Sequence, residues 1–223
     1  MRHALVTGAS SGIGLAIATR LLREGYRVTG LSRGRPPLEH AQFSHGAVDL
    51  LDSVALDATL GGMAPDALVH AAGLMRAGSL GSLEMAEGET LWRLHVDVAT
   101  RLANTLAPRM AEGGRIIFIG SRTAAGAAGR GQYAATKAAL VALARSWAIE
   151  LAPRRITVNV VAPAATDTPM LHDPARAAAA PRLPPIGRYI QPSEVAAMVA
   201  FLLGPDAGAI TGQNLVICGG SSL

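Results

Sequence analysis

A strand, a glycine-rich turn and a helix follow one another at the start of the chain. HALVTG (residues 3–8) is a short apolar run, and GLAIATRLLREG (14–25) has apolar side chains at helical spacing. Gly8, Gly12 and Gly14 lie in the turn between the strand and the helix. Taken alone, these glycines could also serve only to form a tight turn. Because such a turn lets a phosphate group approach the unpaired N–H groups of the helix, we predict a cofactor site here.

Strands and helices alternate along the rest of the chain. Six further apolar runs predict strands at residues 26–33, 45–50, 66–73, 114–121, 156–163 and 214–220. Helical periodicity predicts helices at residues 53–60, 90–110, 132–151 and 193–203. Apolar strands that alternate with helices form parallel sheets covered on both faces. The sequence therefore predicts an α/β fold with a doubly wound parallel sheet of about seven strands, whose site lies beyond the carboxyl ends of the strands.

Chain length and proline content predict the domain organisation. The 223 residues have the length of one α/β domain, so we predict a single domain over residues 1–223. Residues 164–191 depart from the alternation, because a run of alanines is surrounded by five prolines: Pro169, Pro174, Pro181, Pro184 and Pro185. We predict a mobile lid over residues 164–191 at the carboxyl edge of the sheet, with a plain linker as the alternative.

Composition excludes several classes of function. The net charge is +4, but the arginines are scattered without interleaved aromatic residues, so we expect no nucleic-acid binding. Cys218 is the only cysteine, which excludes an intrachain disulfide and favours a cytoplasmic location. We recognise no signal peptide and no apolar run long enough for a membrane span. Four histidines lack ligand spacing with cysteines or carboxylates, so we predict no metal site: His3, His40, His45 and His172.

Several short motifs occur in order along the chain. Thr7 and the three glycines of the turn form T-G-x-x-x-G-x-G, HAAG (70–73) is similar to N-N-A-G, and YAATK (133–137) forms Y-x-x-x-K. GRIIFIGS ends in a serine, and NVVAPAATDT is similar to N-x-V-x-P-G followed by a threonine. With these motifs the chain resembles the short-chain dehydrogenase/reductase family, and its 3-oxoacyl reductase-like members in particular, over nearly its whole length. The resemblance implies a Rossmann-type fold, one dinucleotide-binding oxidoreductase domain and a nicotinamide cofactor.

The resemblance also implies which residues bind the cofactor. They lie in the glycine turn and near the carboxyl ends of the predicted strands: Gly8, Ser10, Ser11, Gly12, Ile13, Gly14, Ser32, Arg33, Asp49, Leu50, Ala72, Gly73, Tyr133, Lys137, Pro163, Thr166 and Thr168. The end of the second strand favours NADP(H) over NAD(H). A carboxylate there would bind the ribose hydroxyls of NAD, but Ser32 takes that place and Arg33 and Arg35 follow it. Their guanidinium groups suit a phosphate, although solvated loop charges are the alternative.

Tyr133 and Lys137 are four residues apart on a predicted helix and therefore share a face. A helix-surface pair is the alternative. However, Lys137 is the only lysine among 20 basic residues, and its compact ammonium can stabilise a phenolate. The resemblance implies that Tyr133 transfers a proton to or from the substrate oxygen, and that Lys137 also holds the nicotinamide ribose.

Two further residues complete the catalytic set that the resemblance implies. Ser121 would hydrogen-bond the substrate oxygen as charge develops on it. The interval from Ser121 to Tyr133 is one residue shorter than in the family, so the Thr123 hydroxyl is the alternative. His95 stands where the family has an asparagine that supports the proton relay, and we include it in the set with a packing role as its alternative.

The leading prediction for function is an NADP(H)-dependent oxidoreductase that transfers hydride between the nicotinamide and a ketone or secondary alcohol. A 3-oxoacyl thioester is one substrate class that the resemblance includes. The alternatives are an NAD-dependent dehydrogenase of a small polyol or hydroxy compound, and a non-catalytic nucleotide-binding sensor or scaffold. The resemblance also implies a homotetramer or homodimer, with the helices of Trp92 and Trp147 as interface elements or simply as packing elements.

Overall fold

The computed structural model describes residues 1–173 and 182–223. Its strands are β1 His3–Thr7, β2 Arg27–Ser32, β3 Phe43–Ala47, β4 Ala67–His70, β5 Arg115–Ile119, β6 Thr157–Pro163 and β7 Asn214–Ile217. Its α-helices are α1 Gly12–Arg23, α2 Ser53–Leu60, α3 Met85–Trp92, α4 Val98–Leu106, α5 Gly131–Leu151 and α6 Pro192–Leu203. In the described part of the chain, no helix has the length and apolar character that crossing a membrane requires.

The seven strands form one parallel sheet in the order β3-β2-β1-β4-β5-β6-β7. Strands β2 and β3 are added in turn on one side of β1. Strand β4 then pairs with the other side of β1, and β5, β6 and β7 follow it in that direction. This confirms the predicted doubly wound α/β fold. Because the connections of β1 and β4 leave in opposite directions, a crevice opens between the carboxyl ends of these two strands.

The sheet separates two apolar cores. Ala4 and Val6 of β1 point into one core together with α1 and α6, and Leu5 points into the other core with α2, α4 and α5. Successive strand side chains alternate between faces, so strands buried on both sides must be apolar throughout. The continuous apolar runs in the sequence therefore correspond to strands covered by helices on both faces.

The helix predicted at residues 90–110 is interrupted. The structure has α3 up to Trp92, a π-helical turn over Arg93–Asp97 and then α4, so the predicted helix is present but contains a π turn that the sequence did not predict. In the π turn, the Val98 N–H bonds to the carbonyl of Arg93. A π turn changes the helical register and frees a neighbouring carbonyl for another donor, here that of Leu94.

The third strand is shifted from its predicted position. It covers Phe43–Ala47 and not 45–50. The backbone turns after Ala47 because the Asp49 carboxylate accepts a hydrogen bond from the N–H of Leu51, at 3.0 Å. This local bond competes with strand pairing, as aspartate side chains commonly do. Asp49 is thereby placed beyond the carboxyl end of β3.

The two tryptophans have different environments. The Trp147 ring packs edge-on against Phe118 with a centroid separation of 5.8 Å, so its predicted packing role is confirmed. Trp92, at the end of α3, is 45% exposed. Its role in an interface stays a prediction.

Candidate active site

Two adjoining cavities lie at the carboxyl ends of the strands. One, of about 370 Å³, follows the glycine turn and the ends of β2 and β3, and we call it the dinucleotide cleft. The other, of about 760 Å³, lies beyond β5 and β6, and we call it the substrate cavity. Residues common to both walls, including Ile13, Gly73 and Thr168, join them into one depression. A long ligand can therefore occupy both.

The glycine turn brings backbone segments unusually close. A Cβ on Gly8, which has φ +69, would lie 2.8 Å from the Cα of Ala72, and a Cβ on Gly14 would lie 2.1 Å from the carbonyl oxygen of Gly8. Only glycine fits these two positions. Ser11, the N-cap of α1, makes no side-chain hydrogen bond to the first-turn N–H groups, and no acidic side chain lies in that turn. An uncapped helix N-terminus at the floor of a cleft fits the pyrophosphate of a dinucleotide.

At the end of β2, the Ser32 side chain is bonded within the loop that follows the strand. The Ser32 hydroxyl is 6% exposed and donates to the carbonyl of Gly34 at 2.8 Å, while His45 Nε2 lies 3.1 Å from it. Ser32 thus shapes the loop and contributes only part of the wall. Arg33 is exposed, lines the cleft, and makes no hydrogen bond or ion pair with the part of the chain described. Arg35 is exposed but does not line the cleft.

The structure brings the proposed cofactor residues together around these cavities. Thirteen of them line the dinucleotide cleft: Gly8, Ser10, Ser11, Gly12, Ile13, Gly14, Ser32, Arg33, Asp49, Leu50, Ala72, Gly73 and Thr168. The remaining four line the substrate cavity: Tyr133, Lys137, Pro163 and Thr166. Ser121 also lines the substrate cavity, whereas His95 lines neither. His95 is therefore not in a position to touch a ligand in either cavity.

Ser121 and Thr123 form one hydroxyl pair after β5. Their oxygens lie 2.7 Å apart, and the N–H of Thr123 donates to Ser121 Oγ at 3.2 Å. Both side chains are buried and line the same cavity as Tyr133. The shorter interval to Tyr133 has therefore not removed Ser121 from the cavity. Thr123 instead holds the serine hydroxyl in place.

Lys137 is buried beneath Tyr133. Its Nζ donates to the carbonyl of Ile119 at 2.9 Å and lies 5.8 Å from the centroid of the Tyr133 ring. Burial lowers the pKa of Lys137 to about 7. An ammonium with that pKa can give up or take back a proton near neutral pH, which an ordinary lysine cannot do.

His95 lies behind the two catalytic candidates. It is fully buried in the π turn, and its ring contacts the Tyr133 ring edge-on at 5.7 Å. Nε2 accepts from the N–H of Leu74 at 3.2 Å, so the ring hydrogen is on Nδ1, which donates to the Thr136 hydroxyl at 2.8 Å. The Thr136 hydroxyl in turn donates to the Tyr133 carbonyl at 2.9 Å. Burial and then the charge of Lys137 hold the pKa of His95 well below its usual value, so the ring is neutral.

A second buried histidine, His70 at the end of β4, joins β1 to the π turn. His70 Nε2 donates to the carbonyl of Leu94 in the π turn at 3.2 Å, and Nδ1 accepts from the Thr7 hydroxyl at 2.8 Å. Thr7 Oγ1 accepts from the N–H groups of Ala71 and Ala72. Burial lowers the pKa of His70 to about 3, with the charge of Lys137 as a smaller cause.

These buried supports were not predicted from the sequence. The roles of His70 and Thr136 depend on contacts between distant segments, so no local pattern reveals them. A weak signal existed at His70, because a polar residue ends an otherwise apolar strand. Such a residue needs a partner when it is buried.

The predicted lid is described only in part. Residues 164–173 and 182–191 include several that line the substrate cavity, among them Thr166, Met170 and Leu183. Pro174, Pro181 and the whole alanine run lie outside the described residues, and the lid stays a prediction. Within the described residues, no group of three histidine, cysteine, aspartate or glutamate side chains could hold a metal ion.

Sequence comparison finds known proteins that are similar to this chain over nearly its whole length. The family model described as enoyl-(acyl carrier protein) reductase matches residues 8–222. The 3-oxoacyl-[acyl-carrier-protein] reductase FabG of Vibrio harveyi is 36% identical, covering 97% of this chain and 96% of the relative. The cyclic-di-GMP-binding biofilm dispersal mediator protein of Escherichia coli is 35% identical, covering 96% of this chain and 94% of the relative.

Several solved structures have the same fold as this chain. A short-chain dehydrogenase family protein from Francisella tularensis has a TM-score of 0.90 at 25% identity, covering 99% of this chain and 98% of that one. The aldohexose dehydrogenase of Thermoplasma acidophilum has a TM-score of 0.89 at 30% identity, covering 99% and 94%. The structure of BdcA in complex with NADPH has a TM-score of 0.84 at 32% identity, covering 98% and 93%.

Proposed function

The chain belongs to the short-chain dehydrogenase/reductase family and is an oxidoreductase of CH–OH and keto groups, and from that premise we propose its reaction. The protein transfers hydride between NADP(H) and a ketone or secondary alcohol. Among possible substrates we propose the 3-oxoacyl thioesters first, because the FabG relatives are named 3-oxoacyl-[acyl-carrier-protein] reductases. The proposal also includes a cytoplasmic location, because the single cysteine requires no oxidising compartment.

One observation carries the proposal. The only lysine of the chain is buried under Tyr133, with Ser121 on the wall of the same cavity. Burying an ammonium costs free energy unless an opposite charge pairs with it. Within the described residues, no ion pair includes Lys137. A chain that uses arginine everywhere else keeps a lysine at this costly place. A chemical role for its titratable ammonium explains that cost.

Each of the three side chains has a separate task. The Ser121 hydroxyl donates a hydrogen bond to the substrate oxygen and stabilises the negative charge that develops there. The Tyr133 hydroxyl gives its proton to that oxygen in the reductive direction and takes it back in the oxidative direction. Lys137, with a pKa of about 7, stabilises the phenolate that remains and can return a proton to it. When bound, the nicotinamide supplies or accepts the hydride.

His95 has a positioning task in this proposal. Its ring joins the backbone of Leu74, at the mouth of the cavities, to Thr136 on the helix that carries Tyr133 and Lys137. It therefore fixes the distance between the cofactor side and the catalytic helix. A neutral ring with both nitrogens occupied is suited to holding geometry and not to accepting a proton.

The preference for NADP(H) rests on charge at the dinucleotide cleft. Arg33 lines the cleft at the end of β2 and has no carboxylate partner among the described residues. Its guanidinium can pair with a 2′-phosphate, which NAD lacks. The NADPH complex of the structural neighbour BdcA is consistent with this choice.

Tyr133→Phe tests the reaction. The ring stays and the proton donor is removed, so we expect NADPH still to bind while turnover of a ketone panel falls more than tenfold. Tyr26→Phe is the matched control, because Tyr26 precedes β2 at the opposite edge of the sheet and lines neither cavity. A Tyr133→Phe enzyme that kept more than about a tenth of the rate, a barrier change below about 1.4 kcal/mol, would remove Tyr133 from the acid role.

A nucleotide-sensing role is the second candidate. It is favoured by the 35% identity to the cyclic-di-GMP-binding mediator of Escherichia coli. Calorimetric titration with cyclic di-GMP and with NADPH separates the two candidates. Tight cyclic di-GMP binding without any turnover of carbonyl or alcohol substrates would favour the sensor. Turnover with NADH on polyols alone would favour an NAD-dependent polyol dehydrogenase.

A further inference from the structure

The substrate cavity has an unbalanced set of charged side chains. Besides Lys137, its walls include Arg122, Arg130 and Arg182, and in the described residues no aspartate or glutamate side chain lines it. The six ion pairs of the described residues all lie outside this cavity. The described walls of the cavity around the reacting carbonyl therefore carry basic side chains and no acidic one.

Two of these arginines are close in sequence to the catalytic hydroxyls. Arg122 directly follows Ser121, and Arg130 lies three residues before Tyr133 at the start of α5. Three residues of backbone span about 10 Å at most. Both guanidinium groups are thus tied to the segments that hold the substrate oxygen. An anion that they bind would lie on the same small molecule as the carbonyl.

Arg122 has the clearest need of a partner. It is partly buried and, in the described part of the chain, forms neither an ion pair nor a side-chain hydrogen bond. A guanidinium withdrawn from water gains from a carboxylate or phosphate that presents two oxygens to it. The phosphates of the cofactor do not meet this need, because Arg122 and Arg130 do not line the dinucleotide cleft.

We propose that the substrate carries an anionic group, a carboxylate or a phosphate, on the side of the carbonyl that faces Arg122. The inference rests on the proposed reductase function and specifies its substrate. Two sources supply the same chemistry: a free carboxylate on a small oxo acid, or the phosphates of a pantetheine thioester. The substrate pairs in the test distinguish these sources.

The test compares matched anionic and neutral substrates with NADPH. The first pair is 4-oxopentanoate and its methyl ester, and the second is a 3-oxoacyl-CoA and the same acyl group on N-acetylcysteamine, which has no phosphate. We expect kcat/KM to favour the anionic member of at least one pair tenfold or more. The pair that shows the preference identifies the source of the anion.

Variants then assign the preference to the arginine. Arg122→Ala should reduce the preference to within about twofold while retaining turnover of the neutral member, which shows that the neighbouring Ser121 still works. Arg122→Lys should restore part of the preference because it restores the charge. Arg23→Ala is the matched control, since Arg23 is exposed at the end of α1 and lines neither cavity. It should leave the preference unchanged.

Failure of this inference is distinct from failure of the proposed function. Equal turnover of both members in both pairs, or an equal loss on both members in Arg122→Ala, would overturn the anion site and leave the reductase function intact. If no carbonyl compound is turned over, calorimetry of the NADPH-loaded protein with 4-hydroxypentanoate and with a 3-hydroxyacyl-CoA decides the inference separately for both sources of the anion. Binding that Arg122→Ala weakens at least tenfold supports the site, and absence of binding overturns it.

Discussion

Acid stability tests the buried histidine at the end of β4. His70 is 1% exposed and its pKa is lowered to about 3 by burial, from an ordinary value of 6.5. A histidine whose pKa falls on folding contributes stability above its unfolded pKa, and this stability is lost as the pH falls toward the folded value. The folded protein keeps His70 neutral at pH 5.5, whereas the unfolded chain binds a proton there.

The size of the effect follows from these two pKa values. Between pH 7.5 and pH 5.5, protonation of the unfolded state lowers the free energy of unfolding by about 1.4 kcal/mol for this one histidine. In His70→Asn that contribution is absent. The asparagine Oδ1 takes the place of Nδ1 and can accept from the Thr7 hydroxyl, and loss of the bond to the Leu94 carbonyl affects both pH values equally. The wild-type protein should therefore lose about 1.4 kcal/mol more than the variant over this pH range.

Urea unfolding followed by circular dichroism at both pH values measures the difference. The other titrating groups, including buried His95, are present in both proteins and cancel from the comparison. His40→Asn is the matched control, because this histidine is exposed. A stability gap between wild type and His70→Asn that did not change with pH would refute the buried neutral state. So would an NMR titration in which the His70 ring takes up a proton above pH 5.

Three further predictions concern activity and assembly. Lys137→Arg should lower kcat at least a hundredfold, because a guanidinium is larger than the ammonium bound to the Ile119 carbonyl and does not release its proton near neutral pH; near-normal activity would make the lone lysine a coincidence. NADPH should exceed NADH at least tenfold in kcat/KM, and Arg33→Ala should remove most of that preference while Arg35→Ala leaves it largely intact; an NADH-preferring enzyme would contradict this assignment. Light scattering at micromolar concentration should give a dimer or tetramer in which exposed Trp92 is covered, and a single species near the chain mass of 22.9 kDa would exclude that assembly.

The sequence alone was sufficient for the sheet and for the outline of the site. Seven apolar runs separated by helical segments leave few topologies open, because parallel strands need helical crossovers of one hand. The glycines of the first turn predicted a cofactor site between β1 and α1, and Gly8 and Gly14 lie where backbone segments leave no room for a Cβ. Tyr133 and Lys137 share a helical face, and helical geometry alone brings them to one cavity. Each of these predictions depends on local periodicity or on backbone geometry.

Only the tertiary structure determined how the site is supported. The π turn at His95 and the early end of β3 at Ala47 follow from hydrogen bonds that compete with regular helix and strand pairing. The neutral state of His70 follows from burial between segments far apart in the chain, and so does the lowered pKa of Lys137. The charge of the substrate cavity likewise depends on which side chains converge there. Burial and convergence are properties of the packed chain, since desolvation depends on what surrounds a group in space and not on its neighbours in sequence.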